Sequence, residues 1–263
     1  MLRTLPRSRT SSGTAYVERG AGDETLVLVH GVGMRIEAWE PQIDRLAENC
    51  RVIAVDLPGH GFSEALGGSP ELPGYVAWFR RFLDEIDAGS VNVAGHSMGA
   101  LIAGGIVATA PERVKRVALL NGVHRRNAQA RKAVEARARE IGSGDFDREA
   151  PLARWFSRED VGTEAYCLVR ALLQAVDPAG YAAAYKAFAT GDSVYSDRWP
   201  QVTCPAMFLT GDGDLNSTAD MAREMAAAAR RGWAVVIDGH RHMVNLTAPD
   251  EVNRALADWM TSR

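Results

Sequence analysis

Short apolar runs recur along the chain and alternate with segments of helical periodicity. Most positions in each run are apolar, which is typical of strands that are covered on both faces. The runs occupy residues 25–29, 51–55, 91–94, 114–120, 206–210 and 234–237. Between them, apolar residues recur every three to four positions, as in the stripe of Val76, Phe79, Leu83 and Ile86. The alternation predicts βαβ units, and therefore an α/β fold with a mostly parallel sheet flanked by helices.

The rhythm changes between residues 122 and 198, where no convincing strand pattern occurs. Helical patterns occur there instead, separated by turns that contain Gly or Pro, at 131–141, 166–176 and 181–189. With 263 residues, the chain is long enough for one large domain. We therefore predict a single domain over 1–263, with a core formed by 1–121 and 199–263 and an inserted helical lid at 122–198.

The stretch Gly95-His96-Ser97-Met98-Gly99 reads G-x-S-x-G. It follows the apolar run at 91–94 and precedes small and apolar residues of helical type at 100–107. A serine between a strand and a helix in this way lies on a strained turn, with its hydroxyl held clear of the sheet. The glycines allow neighbouring chain to approach where no side chain fits. This context predicts that Ser97 is a nucleophile.

A serine hydroxyl needs a base to take its proton and a third group to orient that base. In a parallel sheet, these partners are expected on loops that follow later strands, near the serine. Asp212 and Asp214 follow the fifth apolar run, and His240 and His242 follow the sixth. The chain thus carries nucleophile, acid and base in the order Ser, Asp, His. The His-x-His pair is also compatible with a metal site, but no further ligand cluster accompanies it, and we predict no metal.

Three further motifs occur in the same order as in the α/β-hydrolase family, and the sequence resembles that family nearly from end to end. His30-Gly31-Val32-Gly33 is similar to the family's oxyanion loop. Residues 56–63, which read DLPGHGFS, are similar to its D-x-P-G-x-G-x-S turn. His242-Met243-Val244-Asn245-Leu246 is similar to its catalytic-histidine segment. Several motifs in the right order are far more specific than any one of them alone.

The resemblance implies a role for each of five residues. Ser97 is expected to be the nucleophile, Asp214 the acid and His242 the base. The backbone N–H groups of Val32 and Met98 are expected to form the oxyanion hole. The implied fold is the α/β-hydrolase fold, and no cofactor is expected.

Other polar residues compete for these roles. Asp212 is less suited as the acid, because the family's acid usually falls three residues after the glycine that ends the strand. His240 competes with the second histidine of the same segment. Asn121 follows the fourth apolar run, where some relatives carry the acid, but an amide holds no charge. We expect His60 to hold its turn together, and the ring of His96 to point away from the nucleophile.

The substrate is less clearly indicated. Residues 154–156, 180–183 and 39–43 are similar to segments of 3-oxoadipate enol-lactonase-like proteins. That resemblance implies hydrolysis of a small carboxylic ester or (enol-)lactone through an acyl-enzyme intermediate. The same triad also serves the hydrolysis of a carbon–carbon bond, an amide or a thioester, and these alternatives stay open. A ligand receptor with little turnover, built on the same fold, is an alternative from another class.

Arginines are frequent in the predicted lid, at positions 125, 126, 131, 137, 139, 148, 154 and 158. One interpretation is that they attract a carboxylate-bearing substrate, with Arg154 as a clamp and Trp155 beside it. The other interpretation is a solvated helix face. Val134 and Ile141 give the helix at 131–141 an apolar side, so we expect the arginines of that helix to point into solvent.

Composition excludes several classes of partner. The formal net charge of −3 gives no reason to expect a nucleic acid or an anionic membrane. The longest apolar runs are too short to span a bilayer. We therefore expect a small-molecule acyl substrate, while the oligomeric state is left open.

Cysteine use and the N-terminus suggest a location. Cys50, Cys167 and Cys204 are odd in number and widely spaced, which argues against a disulfide framework and for a cytoplasmic protein. The first nine residues are basic and lack the apolar run of a secretory signal. We expect them to form a loosely held terminus, followed by an antiparallel edge strand at 14–18.

Overall fold

The structure, a computed structural model, describes residues 4–144 and 146–262. Its strands are β1 (Ser8–Arg9), β2 (Ala15–Arg19), β3 (Thr25–Val29), β4 (Arg51–Val55), β5 (Val91–His96), β6 (Val114–Leu120), β7 (Ala206–Gly211) and β8 (Gly232–Ile237). They form one eight-stranded sheet in the order β1-β2-β4-β3-β5-β6-β7-β8. β2 pairs antiparallel with β1 and β4, and the strands from β4 to β8 pair in parallel. The predicted α/β fold is confirmed. The strand predicted at 14–18 is antiparallel, as expected, but the expectation that it forms the edge is wrong, because β1 pairs with its outer side.

The helices flank this sheet. They are α1 (Glu40–Leu46), α2 (Leu72–Glu85), α3 (Met98–Thr109), α4 (Ala128–Gly142), α5 (Ala150–Trp155), α6 (Glu164–Ala175), α7 (Pro178–Gly191), α8 (Ala219–Ala228), α9 (Val244–Thr247) and α10 (Pro249–Thr261). Short 3-10 helices occur at Ile36–Trp39, Pro111–Arg113 and Ser196–Gln201. The three helical patterns expected between 122 and 198 correspond to α4, α6 and α7.

Burial on both faces explains why the strands are continuously apolar. In β3, Val27 and Val29 pack on the side of α2 and α3, whereas Leu26 and Leu28 pack on the side of α1 and α10. All four side chains are completely buried. Each such burial stabilises the fold by about 1.5–3 kcal/mol.

The segment between β6 and β7 contains α4 to α7 and, within its described residues, no strand. Its main helices begin at side-chain caps, because Asn127, Thr163 and Asp177 each accept a hydrogen bond from the first turn of α4, α6 and α7, respectively. α7 packs against α2 and α3, and α4 packs mainly on α7. α4 is therefore one layer further from the sheet. The division into core and lid at 122 and 198 stays a prediction.

From residue 4 onwards, where the structure describes it, the N-terminal segment is not loosely held, contrary to the expectation from its composition. Residues 1–3 lie outside the described residues. Leu5 is buried, and the Arg7 guanidinium lies 2.7 Å from a carboxylate oxygen of both Glu37 and Asp56. A buried cation is stable only when such partners surround it. These partners lie 30 and 49 positions further along the chain, where no local pattern connects them with Arg7.

Candidate active site

Ser97 lies on the turn between β5 and α3, at the carboxyl edge of the sheet. Its backbone has φ 54° and ψ −110°, a strained conformation that costs on the order of 1–3 kcal/mol. A Cβ atom on Gly95 would lie 2.0 Å from the carbonyl oxygen of Gly99, and one on Gly99 would lie 2.0 Å from that of Val29. The turn can therefore close only with glycine at both positions, which explains the G-x-S-x-G spacing.

Asp214 and His242 form a hydrogen-bonded pair at the same edge, because they follow β7 and β8. His242 Nδ1 lies 2.7 Å from Asp214 Oδ2, and both residues are 2% exposed. Burial raises the pKa of Asp214, but the charge and hydrogen bond of His242 outweigh it and hold that pKa below its ordinary value. The carboxylate thus stays charged and holds the proton of His242 on Nδ1. Nε2 is then the basic nitrogen.

Two amide groups hold the carboxylate of Asp214. Asn121 Nδ2 donates to Oδ2 at 2.8 Å, and the backbone N–H of Asn216 donates to Oδ1 at 2.8 Å. Sequence analysis gave Asn121 no role of its own. The structure makes it a positioning residue for the acid, and the available signal was its place directly after β6.

The competing acid and histidine point elsewhere. Asp212 accepts the backbone N–H of Gly239 at 2.8 Å and so links the two loops. His240 Nδ1 lies 2.9 Å from the hydroxyl of Thr247. Within the described residues, no hydrogen bond joins the side chain of Asp212 or His240 to the Asp214–His242 pair.

His96 packs behind the pair. Its ring centroid lies 5.0 Å from that of His242, and its Nε2 lies 2.8 Å from the His242 carbonyl oxygen. Burial lowers the pKa of His96 to about 3, so the ring is neutral and Nε2–H donates to that carbonyl. His96 therefore positions the backbone of His242, a role that its adjacency to Ser97 did not reveal.

His60 fixes the loop that follows β3. Its Nε2 accepts the backbone N–H of Gly33 at 3.0 Å, and its Nδ1 donates to the Pro58 carbonyl at 3.1 Å. Burial lowers the pKa of His60 to about 4, which keeps Nε2 an acceptor at neutral pH. The expectation that His60 holds its turn together agrees with these contacts.

The two residues expected to form an oxyanion hole lie on either side of Ser97. Val32 lines the cavity beside Ser97, and the next N–H along that loop is already bonded to His60. Met98 is the first residue of α3, so no carbonyl of the helix is available to its N–H. The arrangement can supply two N–H donors to an oxygen that develops negative charge near Ser97.

A cavity of about 260 Å³ separates this edge of the sheet from α4, α5 and α7. Ser97 and His242 line it from the sheet side, and Arg154 and Trp155 line it from α5. The Trp155 ring stacks on His242 at a centroid distance of 5.6 Å. The carbonyl of Trp155 also accepts the backbone N–H of His242 at 3.2 Å. Both residues predicted to bind substrate therefore face the candidate catalytic residues.

The expectation that the arginines of α4 point into solvent is wrong for Arg137. Arg137 lines the cavity, whereas Arg139 is exposed. The apolar stripe of Val134 and Ile141 packs towards α7, and Arg137 follows Val134 by three residues on the same side of the helix. A cation that borders the stripe reaches the cavity, because the cavity lies directly beside the α4–α7 contact.

Arg137 and Arg154 create a positive wall. Burial lowers the pKa of Arg154, and the neighbouring charge of Arg137 lowers it further. Arg137 Nη1 donates to the Tyr185 hydroxyl at 3.0 Å. Within residues 4–144 and 146–262, no carboxylate forms an ion pair with either guanidinium. Such a wall attracts an anionic group.

The remaining chemistry of the chain is limited. In the part of the chain that the structure describes, no three His, Cys, Asp or Glu side chains are grouped so that they could hold a metal ion. Among the helices of the same residues, none has the length and apolar character needed to cross a membrane.

Comparison with known proteins agrees with the fold. The sequence model of the alpha/beta hydrolase family matches residues 26–255 of this chain. The chain belongs to this family.

The individual relatives are also named as hydrolytic enzymes. The chain is 48% identical over 256 residues to (E)-2-((N-methylformamido)methylene)succinate hydrolase of Acinetobacter baylyi, a match that covers 97% of this chain and 96% of that protein. It is 29% identical over 222 residues to the pimeloyl-acyl-carrier-protein methyl ester esterase of Yersinia enterocolitica, over 79% of this chain and 71% of the esterase. Among solved structures, an enol-lactonase of Burkholderia xenovorans superimposes with a TM-score of 0.87 at 26% identity, over 98% of this chain and 100% of the lactonase. The chain is a hydrolase, and the bonds that these relatives cleave differ.

Proposed function

We propose that this chain is a serine hydrolase that transfers the acyl group of a small, carboxylate-bearing substrate first to Ser97 and then to water. The observation that carries the proposal is the buried Asp214–His242 pair, because its histidine lines the same cavity as Ser97 on its strained turn. The sheet brings these residues together from positions far apart in the chain. A solvent-exposed Ser, Asp and His would have no reason to meet in this geometry.

The reaction follows from the roles of these groups. His242 Nε2 accepts the hydroxyl proton while Ser97 Oγ bonds to the carbonyl carbon, and the carbonyl oxygen becomes an oxyanion. The N–H groups of Val32 and Met98 stabilise this oxyanion, an interaction worth about 3–4 kcal/mol for a single donor in a related arrangement. His242 then gives its proton to the leaving atom as the bond to the carbonyl carbon breaks. Water repeats the sequence on the acyl-enzyme and releases the acid and free Ser97.

An amide is the first candidate for the bond that breaks. The relative with 48% identity is named for a succinate that carries an N-methylformamido group on a methylene carbon. In such a molecule the amide nitrogen is attached to a carbon–carbon double bond conjugated with a carboxylate, which makes the nitrogen a better leaving group than an ordinary amine. Ser97 would attack the formyl carbon and form a formyl ester. Hydrolysis of that ester would release formate.

Charge in the cavity supports an anionic substrate. Arg137 and Arg154 line the cavity, and Asp214 is already paired with His242. A planar guanidinium matches a carboxylate through two parallel hydrogen bonds. A carboxylate of the substrate would therefore orient the reacting carbonyl towards Ser97.

Turnover of a substrate panel tests this function. The purified protein is assayed with (E)-2-((N-methylformamido)methylene)succinate, a carboxylate-bearing enol lactone, a vinylogous diketone and neutral p-nitrophenyl acetate. We expect kcat/KM for the formamido succinate to exceed that for the neutral ester by about 10³-fold or more, with one formate released per turnover. A preference for the neutral ester would contradict recognition of an anion. Binding of the succinate without turnover would instead indicate a receptor.

Hydrolysis of an ester or enol lactone is the second candidate. The similarity that favours it is the enol-lactonase, which matches nearly the whole chain at 26% identity. The triad and the cationic wall are the same for both reactions, and the difference lies in the leaving atom, which is oxygen rather than nitrogen. In the panel, a higher kcat/KM for the enol lactone than for the formamido succinate would select this candidate.

The proposal also includes a place of action. The three cysteines are unpaired, and nothing in the proposed reaction needs an oxidising compartment. A cytoplasmic location is therefore part of the proposal. Fractionation of the native cell, with detection of the chain in the cytosolic fraction, is the corresponding test.

A further inference from the structure

Arg126 is a third arginine at the cavity, and it differs from the two others in its burial. It lies in the loop between β6 and α4, and its side chain is 5% exposed. The guanidinium lies 4.5 Å from the centroid of the Phe188 ring, and Nη1 donates to the Phe188 carbonyl at 3.3 Å. Within the described residues, Nη2 is buried and has no hydrogen-bond partner. An unpaired N–H on a buried guanidinium is rare, because that N–H has lost its hydrogen bonds to water and gained none in the protein.

The carboxylate next to Arg126 does not compensate its charge fully. Asp192 Oδ2 accepts the backbone N–H of Arg126 at 2.6 Å and Arg131 Nη2 at 3.1 Å. Asp192 Oδ1 lies 3.3 Å from Arg126 Nη1. The Asp192 carboxylate thus forms ion pairs with two guanidiniums, those of Arg126 and Arg131. The group formed by Arg126, Arg131 and Asp192 therefore carries a net positive charge, and Arg126 lines the cavity.

We propose that Arg126 Nη2 binds a carboxylate of the substrate. The cavity would then bind two carboxylates of the same substrate, each at its own cationic site. The first site is the half-buried pair of Arg137 and Arg154, and the second is the buried Arg126. This inference rests on the proposed function, because it takes Ser97 as the reacting centre between the two sites. The substrate class is then a small dicarboxylate rather than any carboxylic acid.

Burial gives the second site its selectivity. A hydrogen bond between two charged groups is stronger where water is excluded, and a buried donor left without a partner is penalised. A substrate with a carboxylate at this point satisfies Nη2, whereas an analogue with a methyl group leaves it unpaired. Discrimination by an unpaired polar group exceeds discrimination by size alone. Asp192 is the positioning residue, since it holds both the backbone and Nη1 of Arg126.

Binding calorimetry with two four-carbon acids tests the proposal without depending on turnover. Succinate carries two carboxylates, and butyrate carries one with a similar chain length. We expect the wild-type protein to bind succinate at least about tenfold more tightly than butyrate. In Arg126→Met, Kd for succinate should rise at least about tenfold while Kd for butyrate changes less than about twofold. The matched control is Arg131→Met, which removes the other partner of Asp192 but does not line the cavity, and it should keep the wild-type preference.

Three results would overturn the assignment. Equal binding of succinate and butyrate by the wild type is the first. The second is a preference for succinate that survives in Arg126→Met. The third is an equal loss of both ligands in Arg126→Met and Arg131→Met, which would make Arg126 only an anchor of the lid. If Arg126→Met does not fold, Arg126→Lys keeps a charge beside Asp192 but lacks Nη2, and it should lose most of the preference. Failure of the amide assay with intact succinate preference would reject the proposed bond and leave this site standing.

Discussion

The cavity has two kinds of wall, which differ in how their polar groups are satisfied. On the sheet side, Asp214, His242 and His96 are 2% exposed and each hydrogen-bonds to other protein atoms. On the opposite side, formed by helices of the predicted lid and called the lid side below, Arg137 and Arg154 are half-buried, and no carboxylate of the described residues pairs with them. The acid and the two histidines on the sheet side have their protein partners before a substrate arrives, whereas the two arginines opposite them lack an anion.

This difference suggests a division of labour. Groups that are fixed in advance stabilise a transition state without reorganising, and they therefore act on kcat. Groups that are completed by the substrate contribute mainly to binding, and their loss appears mainly in KM. Mutations on the two sides should consequently separate in their kinetic effects.

The largest effect is expected for Ser97→Ala. Loss of the hydroxyl removes the covalent route, so kcat should fall by about 10⁴–10⁶-fold on the best substrate of the panel. The change in thermal unfolding should be small, because the serine is not part of the core. Activity close to that of the wild type would mean that the turn does not carry the nucleophile.

The next largest effect is expected for His242 and not for its neighbour His240. His242→Ala should lower kcat by about 10⁴-fold or more, because the neighbouring His96, whose pKa burial lowers to about 3, is too weak a base to replace it. His240→Ala should lower it less than about threefold, since His240 bonds to Thr247 outside the pair. Steady-state kinetics of both variants provide the measurement, and the reverse ranking would exchange their roles.

A smaller effect, of a different kind, is expected on the lid side. Arg154→Gln should raise KM for a carboxylate-bearing substrate by about 10–100-fold with a smaller change in kcat, because one charge-assisted contact is lost. Arg139→Gln is the matched control, as it removes an exposed arginine of α4. A fall in kcat at constant KM for Arg154→Gln would contradict the comparison between the two walls.

The smallest effect concerns the free energy of unfolding, which should fall in acid because of a buried histidine, His60. Burial lowers the pKa of His60 to about 4, whereas the unfolded chain binds that proton near pH 6.5. The unfolded state therefore holds more protons between these values, and stability present above pH 6.5 is lost as the pH falls, by about 1.4 kcal/mol per pH unit. Urea unfolding at pH 7, 6 and 5 should show a shallower loss for His60→Gln than for the wild type. Parallel losses would refute a neutral, buried His60.

Much of the fold could be predicted from the sequence because its signals are local. β3, β4 and β6 begin and end where the apolar runs do, since burial on both faces favours apolar residues over most of their length; Lys115 and Arg116, near the start of β6, are the charged exceptions. β8 begins two residues earlier than predicted, at Gly232, because pairing with β7 extends it beyond the apolar run. The Arg7 contacts were missed, since they join segments that no periodicity relates.

The site was predictable where chain order and strand ends determine it, and not where side-chain direction decides. The structure brings Asp214 and His242 together, and it places Ser97 at the same edge because parallel strands end there. The contact of Asn121 with Asp214 and that of His96 with the His242 carbonyl depend on rotamers, which a sequence does not display. The direction of Arg137 was predicted wrongly because a helix that covers a cavity has solvent on one side and the cavity on another. An arginine side chain can be accommodated in either place.

The hydrogen bond from the His242 backbone N–H to the Trp155 carbonyl has a consequence for protein engineering. Chimeras that exchange the helical insert of one hydrolase for that of another are an obvious way to change the range of compounds accepted. In this protein such an exchange would also change the acceptor that fixes the backbone of His242, along with the carbonyl of Phe156 to which Arg241 Nη1 donates at 3.0 Å. Grafts that end before residue 150 leave this connection intact, so recombination should be confined to the segment that precedes α5.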